Sequence, residues 1–347
     1  MRYFKISELC VKEKDLSVRC LACQRMCVIA NGGKGFCKVR VNKDGNLLVP
    51  YGYFSSLHID PIEKKPLYHF LAGSYTLSFG MFGCNLRCLY CQNWEISQID
   101  GFKGLDNISE YIIEANPCDV YNIMKEKDLR IIVSTYNEPT VSIEWAYDIF
   151  SYAKRIDKGI KTGFVTNGYL SCEAVDYILP YIDFIRIDIK AFDREKFNRL
   201  TSADFNKYIS SIKYIASKNL HIEFVNLVVE GFNDGLDEFN DMIDFISSIS
   251  KDIPLHLTAF HPDYKMTDRK RTQPSTIENL ISFAKGKGLR YVYGGNYMSS
   301  STDTICPSCS FVVVKRGYMN TEFKDIRVNN GEGFCPKCGQ KIYGFWQ

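Results

Sequence analysis

Between about residue 75 and residue 296, short apolar runs alternate with longer stretches in which apolar residues recur at three-to-four spacing. The short runs fall at 75–79, 131–135, 163–166, 184–189, 222–229, 255–260 and 291–293, and their lengths predict strands. The periodic stretches at 142–153, 172–179, 205–216, 236–249 and 276–284 predict amphipathic helices with one buried face. Strands alternating with helices are the pattern of βα units on a parallel sheet. Six or seven such units predict an α/β fold, a partial or full (β/α) barrel with its chemistry at the C-terminal ends of the strands.

Both ends of the chain break this pattern. Residues 1–55 are rich in turns, and residues 39–41 and 47–49 flank Asn42-Lys43-Asp44-Gly45-Asn46 as the arms of a hairpin turning at Asp44-Gly45. Beyond Asn296 two Cys-Pro-x-Cys pairs stand on either side of a predicted hairpin. Three parts follow: a cysteine-rich module at 1–55, the barrel at 56–298 and a second small module at 299–347. No fixed-period repeat or low-complexity tract interrupts them.

Composition narrows the function. In 347 residues, 46% of them hydrophobic, there is material for one large core, and 43 Lys and Arg against 40 Asp and Glu leave a net charge of +3. That balance lacks the basic stripe a nucleic-acid backbone requires. No apolar run reaches the length of a spanning helix and the first residues lack a signal-peptide layout, so a cytoplasmic protein with no membrane partner is expected. Fourteen cysteines in a reducing compartment point to metal rather than disulfides. Eleven fall into three groups: Cys20, Cys23, Cys27 and Cys37; Cys84, Cys88 and Cys91; and Cys306, Cys309, Cys335 and Cys338. Cys10, Cys118 and Cys172 remain, and are expected to be small buried apolar residues.

The central group, Cys84-Asn-Leu-Arg-Cys88-Leu-Tyr-Cys91, directly follows the first predicted barrel strand. Three thiolates on a four-iron cubane leave one iron without a protein ligand. The alternative is a zinc knuckle with a fourth ligand elsewhere. The C-x3-C-x2-C spacing, with aromatic Tyr90 before the last cysteine, resembles the radical S-adenosylmethionine (SAM) superfamily. That resemblance implies a [4Fe-4S] cluster whose open iron binds SAM. It also implies reductive cleavage to methionine and a 5′-deoxyadenosyl radical, which abstracts hydrogen from a substrate, with Tyr90 near the adenine. Thr135-Tyr-Asn-Glu-Pro-Thr140 stands where relatives bind the SAM amino group. Asn137 and Glu138 are candidates there, Glu138 because a carboxylate-to-ammonium bond is charge-assisted; a turn opening the next helix is the alternative. Thr166-Asn167-Gly168 ends the third strand near the expected cofactor, where Gly168 permits a close turn. On the fourth strand, alternation puts Arg186, Asp188 and Lys190 on one face, making Asp188 and Lys190 candidates for SAM or substrate contacts or for a mutual ion pair. His261 is expected at the catalytic rim, as a proton-exchanging or merely hydrogen-bonding residue.

Several stretches together resemble a narrower family, the radical SAM enzyme of the AmmeMemoRadiSam system, which is related to the activating enzymes of glycyl radical enzymes. They are Asp60-Pro-Ile-Glu-Lys-Lys-Pro-Leu-Tyr-His-Phe70, Cys91-Gln-Asn-Trp94, Thr135 to Thr140, His261-Pro-Asp-Tyr-Lys-Met266 and Cys335-Pro-Lys-Cys338. The chain departs from that family at Ala72-Gly73, where Pro-Gly is favoured. The resemblance implies a partial barrel of radical SAM type, an electron donor of reduced flavodoxin or ferredoxin type, and association with Memo-type and AMMECR-type proteins.

The flanking groups complete the metal inventory. Cys306, Cys309, Cys335 and Cys338 have the spacing of a zinc ribbon, with Zn²⁺ favoured over iron. Cys20, Cys23, Cys27 and Cys37 offer four ligands for a closed site, either structural Zn²⁺ or a second [4Fe-4S] cluster. The leading expectation is an oxygen-sensitive enzyme with an unidentified substrate. The alternatives are a glycyl radical activase, acting on a protein, and a non-catalytic zinc-binding scaffold.

Overall fold

The computed structural model describes residues 3–99, 112–298, 301–317 and 319–347. Eight strands form one sheet in chain order: β1 (Ser56–Pro61), β2 (Tyr75–Gly80), β3 (Ile131–Ser134), β4 (Lys161–Thr166), β5 (Phe184–Ile189), β6 (His221–Val228), β7 (Leu255–Ala259) and β8 (Val292–Gly295). β1 is antiparallel to β2, and every later neighbour is parallel. β1 and β8 end the sheet, so the barrel is partial. Helices α1 (Pro117–Glu126), α2 (Ile143–Ile156), α3 (Cys172–Ile178), α4 (Arg194–Thr201), α5 (Phe205–Ala216), α6 (Leu236–Ile249) and α7 (Pro274–Gly286) connect the strands. None is long and apolar enough to cross a membrane.

Side-chain alternation separates two faces of the sheet. On β5, Ile185, Ile187 and Ile189 join the core shared with the helices, while Arg186, Asp188 and Lys190 face the cavity described below. α2 buries Ile143, Ala146, Ile149, Phe150 and Ala153, the expected three-to-four stripe. α1 and α4 lie outside the helices read from periodicity. α1 is announced instead by its start: Asn116 caps it in a reciprocal capping box with Asp119, and Pro117 takes the first position.

Residues 62–73, between β1 and β2, fill the barrel interior. Ile62, Leu67, Phe70 and Leu71 cluster with Ile131, Val133 and Phe184. The Tyr68 and His69 amides donate to Glu223 at 3.0 and 2.8 Å, and His221 and His256 hydrogen-bond to the same buried carboxylate. With its acidity raised by the two imidazoles against the opposing effect of burial, Glu223 lies well below the usual carboxylate range. His69 Nδ1 donates to the Tyr343 carbonyl and Nε2 hydrogen-bonds with the Tyr293 hydroxyl, an arrangement that a neutral imidazole satisfies.

Burial drives His69 down to about 3 and lowers His256. An unfolded chain protonates both near pH 6.5. Because the folded values lie below the unfolded ones, stability is complete above about pH 6.5 and declines as pH falls, by up to about 1.4 kcal/mol per pH unit for each histidine. Urea unfolding at pH 7.5, 6.5 and 5.5 is expected to show this decline, with a shallower slope in His69→Gln. Equal slopes would remove His69 as a cause.

The N-terminal hairpin forms as expected, with pairing one step tighter. Val41–Lys43 pairs with Asn46–Pro50, leaving Asp44 and Gly45 as a two-residue turn at φ 55° and 74°. Leu9, Val18, Ile29 and Leu47 pack into the same core as the barrel helices. Between the C-terminal cysteine pairs there are two hairpins rather than one: Val312–Arg316 with Thr321–Lys324, and Arg327–Asn329 with Glu332–Phe334. The remaining cysteines correct the expectation of burial. Cys118 and Cys172 are exposed and Cys10 is half-buried. Cys118 and Cys172 sit in the first turns of α1 and α3, beside the caps Asn116 and Ser171 and ahead of the buried faces that begin at Val120 and Ala174.

Candidate functional site

The C-terminal ends of the parallel strands surround a cavity of about 530 Å³. Cys84, Cys88, Tyr90 and Cys91 border it from the loop after β2, Asn137 and Glu138 from the loop after β3, Thr166 and Asn167 from the end of β4, Arg186 and Asp188 from β5, and Lys190 from just past its end. One cavity thus gathers the central cysteine group and all seven candidate cofactor residues. His261 stands apart from this lining. It is exposed at the rim, 3.2 Å from Gln92 Nε2 and 3.7 Å from Asp263.

The cysteine loop is tied down by its backbone. The Arg87 and Leu89 amides donate to the Thr201 and Leu200 carbonyls, and the Lys265 amide donates to the Leu89 carbonyl. The Asn137 side chain accepts from the Met81 amide and donates to the Gly83 carbonyl, both at 2.9 Å, so it holds the chain entering the loop. Asn167 Nδ2 reaches Asn85 Oδ1 at 2.7 Å and Cys84 Sγ at 3.7 Å.

Glu138 is buried and already bonded. Oε1 accepts from the Thr140 amide and hydroxyl and from the Thr166 hydroxyl, while Oε2 accepts from the Asn167 amide at 2.9 Å. Its carboxylate therefore joins the ends of β3 and β4 and caps the turn Pro139–Ser142. By count, Oε2 keeps a lone pair. Burial pushes its carboxyl above the ordinary value against these four donors. Asp188 bridges Arg186 at 2.7 Å and Lys190 at 2.9 Å. Burial alone would push Asp188 up, but its two cationic neighbours outweigh burial and hold it below the ordinary value. Tyr90 is buried, with its hydroxyl 3.4 Å from the Lys190 carbonyl. Gly168, at φ 74°, leaves room for Ile187, which a Cβ would meet at 2.8 Å. Its freedom serves packing on β5.

Residues 79–246 match the model of the radical SAM superfamily. The chain belongs to that superfamily. It is 36% identical to an uncharacterized protein of Methanocaldococcus jannaschii over 334 residues, 95% of this chain and 96% of that one. It is 22% identical to the pyruvate formate-lyase 1-activating enzyme of Escherichia coli K12, over 62% of this chain and 88% of that one. A solved radical SAM methyltransferase from Sphaerobacter thermophilus superimposes with a TM-score of 0.49 at 12% identity, covering 85% of this chain and 77% of that one.

Radical SAM membership makes the chain an enzyme and implies a [4Fe-4S] cluster and SAM. The donor set fits. Sulfurs bound at about 2.3 Å to one tetrahedral ion lie about 3.8 Å apart. Among the described residues, the group gathered that tightly is Cys306, Cys309, Cys335 and Cys338, whose sulfurs all lie within 4.8 Å of one another and include two 3.6 Å pairs. Cys84, Cys88 and Cys91 border the cavity from one short loop, and three thiolates are the donor set of a four-iron cluster with one iron left open. Cys84 and Cys88 are buried, and desolvation pushes Cys88 up to about 12. Bound metal is what would keep such thiols deprotonated.

Three features of the cavity wall escaped the sequence reading. Glu63, Lys64, Lys65, Pro66 and Tyr68 border it from the segment inside the barrel, and Met319 borders it from the C-terminal module. Burial brings Lys65 down to about 8 despite its 2.7 Å pairing with Asp60. Tyr136 holds a left-handed φ of 71° with its hydroxyl on Asp60 at 2.5 Å and its carbonyl accepting from Asn93. The charged run Glu63-Lys64-Lys65 set among Pro61, Ile62, Pro66 and Leu67 was the available signal.

Proposed function

We propose that this radical SAM enzyme abstracts a hydrogen atom from a small-molecule substrate, as the radical SAM member of an AmmeMemoRadiSam system. Cys84, Cys88 and Cys91 hold the [4Fe-4S] cluster, which when bound with SAM supplies reductive cleavage to methionine and a 5′-deoxyadenosyl radical. The observation that carries this reading is the single cavity where the three cysteines meet the Arg186, Asp188 and Lys190 triad. Tyr90 offers a buried ring to the adenine. Glu138 Oε2 takes the SAM ammonium while Thr166 and Asn167 hold its carboxylate in place. Asp188 and Lys190 present one acceptor and one cation to SAM or substrate, with Arg186 fixing Asp188. Residues 63–68 and Met319 limit the room left beside SAM, and about 530 Å³ is in the range of small-molecule sites. The partners implied are a reduced flavodoxin- or ferredoxin-type donor and Memo-type and AMMECR-type proteins.

A second reading, activation of a glycyl radical enzyme, is favoured by the similarity to the pyruvate formate-lyase 1-activating enzyme. One experiment separates the two. Anaerobically reconstituted protein with SAM and reductant should form 5′-deoxyadenosine. Deuterated cell extract, split by size, should then deliver deuterium into that product from the small-molecule fraction. Deuterium arriving from the protein fraction alone would select the second reading, and fully iron-loaded protein that forms no 5′-deoxyadenosine would reject both.

Zn²⁺ is assigned to the C-terminal four cysteines. Cys335→Ser should lose one zinc per chain, measured by elemental analysis, while the iron bound at Cys84, Cys88 and Cys91 stays. Because the Tyr68, Tyr293, Val313 and Trp346 cluster surrounds this module, loss of the metal should also loosen the tail against the barrel.

A further inference from the structure

We propose that Cys20, Cys23, Cys27 and Cys37 hold a second [4Fe-4S] cluster that relays electrons to the cluster on Cys84, Cys88 and Cys91. The four cysteines line one cavity together with Arg25, Arg40 and Asn85. Among the described residues, no three sulfurs of this group meet the 4.8 Å gathering that the C-terminal four show. The same fold thus contains a contracted four-cysteine site and an expanded one.

A second observation lies on the cavity wall. Asn85 lines it and is fully buried, and its Nδ2 has no hydrogen-bond partner. An orphaned buried N–H₂ group is costly unless an acceptor faces it, and cluster sulfur is such an acceptor. Arg40 reaches Cys20 Sγ at 3.8 Å, and Arg25 also borders the cavity, so cationic groups face what would be an anionic cluster.

The two cysteine groups adjoin. A Cβ on Gly83, the neighbour of Cys84, would lie 2.8 Å from the Cys37 carbonyl, and Arg87 donates to the Phe36 carbonyl at 2.5 Å. Asn85 Oδ1 accepts from Asn167 Nδ2, which also approaches Cys84 Sγ, completing a polar path between the groups. On the outer side, Cys27 borders a surface depression with Arg25, Phe36 and Lys207. A reduced flavodoxin- or ferredoxin-type donor loses one electron there, the N-terminal cluster gains it, and the SAM-binding cluster receives it in turn. No bond is made or broken in the relay.

The inference rests on the radical SAM reading for its electron acceptor, and its test is independent of SAM cleavage. The full chain carrying Cys84→Ala, Cys88→Ala and Cys91→Ala together, reconstituted without oxygen, should keep about four iron and four sulfide per chain. Its reduced-state paramagnetic resonance signal should not respond to SAM. Zinc in place of that iron, or no iron at all, would overturn the proposal. For the relay, Cys20→Ser with Cys23→Ser should still form 5′-deoxyadenosine with dithionite, but at least tenfold more slowly than wild type with reduced flavodoxin. Equal rates with flavodoxin would refute it. Should that variant not fold, Asn85→Ala in the triple-alanine chain gives a second measurement. Loss of its N–H···S bond should move the cluster midpoint potential to a more negative value, and an unmoved potential would exclude the Asn85 contact.

Discussion

Replacing Cys84, Cys88 or Cys91 with alanine is expected to abolish 5′-deoxyadenosine formation, while Cys118→Ala leaves it at the wild-type rate. The three cysteines supply every protein sulfur assigned to that cluster, so each loss opens a second iron to solvent and removes the defined single vacancy on which SAM coordination depends. The expected fall is to background, measured by chromatography after anaerobic reconstitution with excess reductant. The fold should survive. The loop is held through main-chain groups, with the Arg87, Leu89 and Lys265 amides anchored on carbonyls and the Arg87 side chain on the Cys84 and Leu86 carbonyls. Circular dichroism of each variant should therefore match wild type. Cys118 is the control because it is exposed in the first turn of α1 and is absent from the cavity lining. Cleavage that persists in the triple variant would mean that other residues bind the cluster.

The same comparison shows what the chain reveals on reading alone. Alternation on β5 correctly separates Ile185, Ile187 and Ile189 from Arg186, Asp188 and Lys190, because period-two patterning is a local consequence of strand geometry. The hairpin at Asp44-Gly45 was equally legible, since the two positive φ angles of its turn favour those residue types. Long-range pairings were not. Nothing near Glu223 announces that the amides of Tyr68 and His69 will approach it across more than 150 positions. Nor does spacing report how far apart sulfurs stand. Cys20 to Cys37 and Cys306 to Cys338 both read as four-ligand sites, and only the folded positions distinguish the tight group from the open one. Glu138 was found by its motif, yet its bonds to Thr140, Thr166 and Asn167 make it a junction between strands as well as a cofactor candidate.

Arg40→Met is expected to destabilise the protein by about 3–5 kcal/mol, the loss that follows when one partner of a buried ion pair is removed. Arg40 and Glu144 are almost wholly inaccessible, at 2% and 0% side-chain exposure, and meet at 2.5 Å. Arg40 also donates to the Val141 and Thr140 carbonyls, so it ties the N-terminal segment to the turn that precedes α2. Without it Glu144 keeps only the Ser7 hydroxyl as a polar partner among the bonds described, and a buried carboxylate so poorly matched must either protonate or admit water. Glu144→Leu alone should be similarly damaging because it strands the guanidinium. The double variant Arg40→Met/Glu144→Leu should recover most of the stability, since an apolar pair of similar volume needs no compensation for desolvation. Thermal unfolding of the four proteins at matched metal content measures this. Singles as stable as wild type, or a double as weak as the singles, would show that the pair does not govern how the cysteine-rich segment is fastened to the barrel.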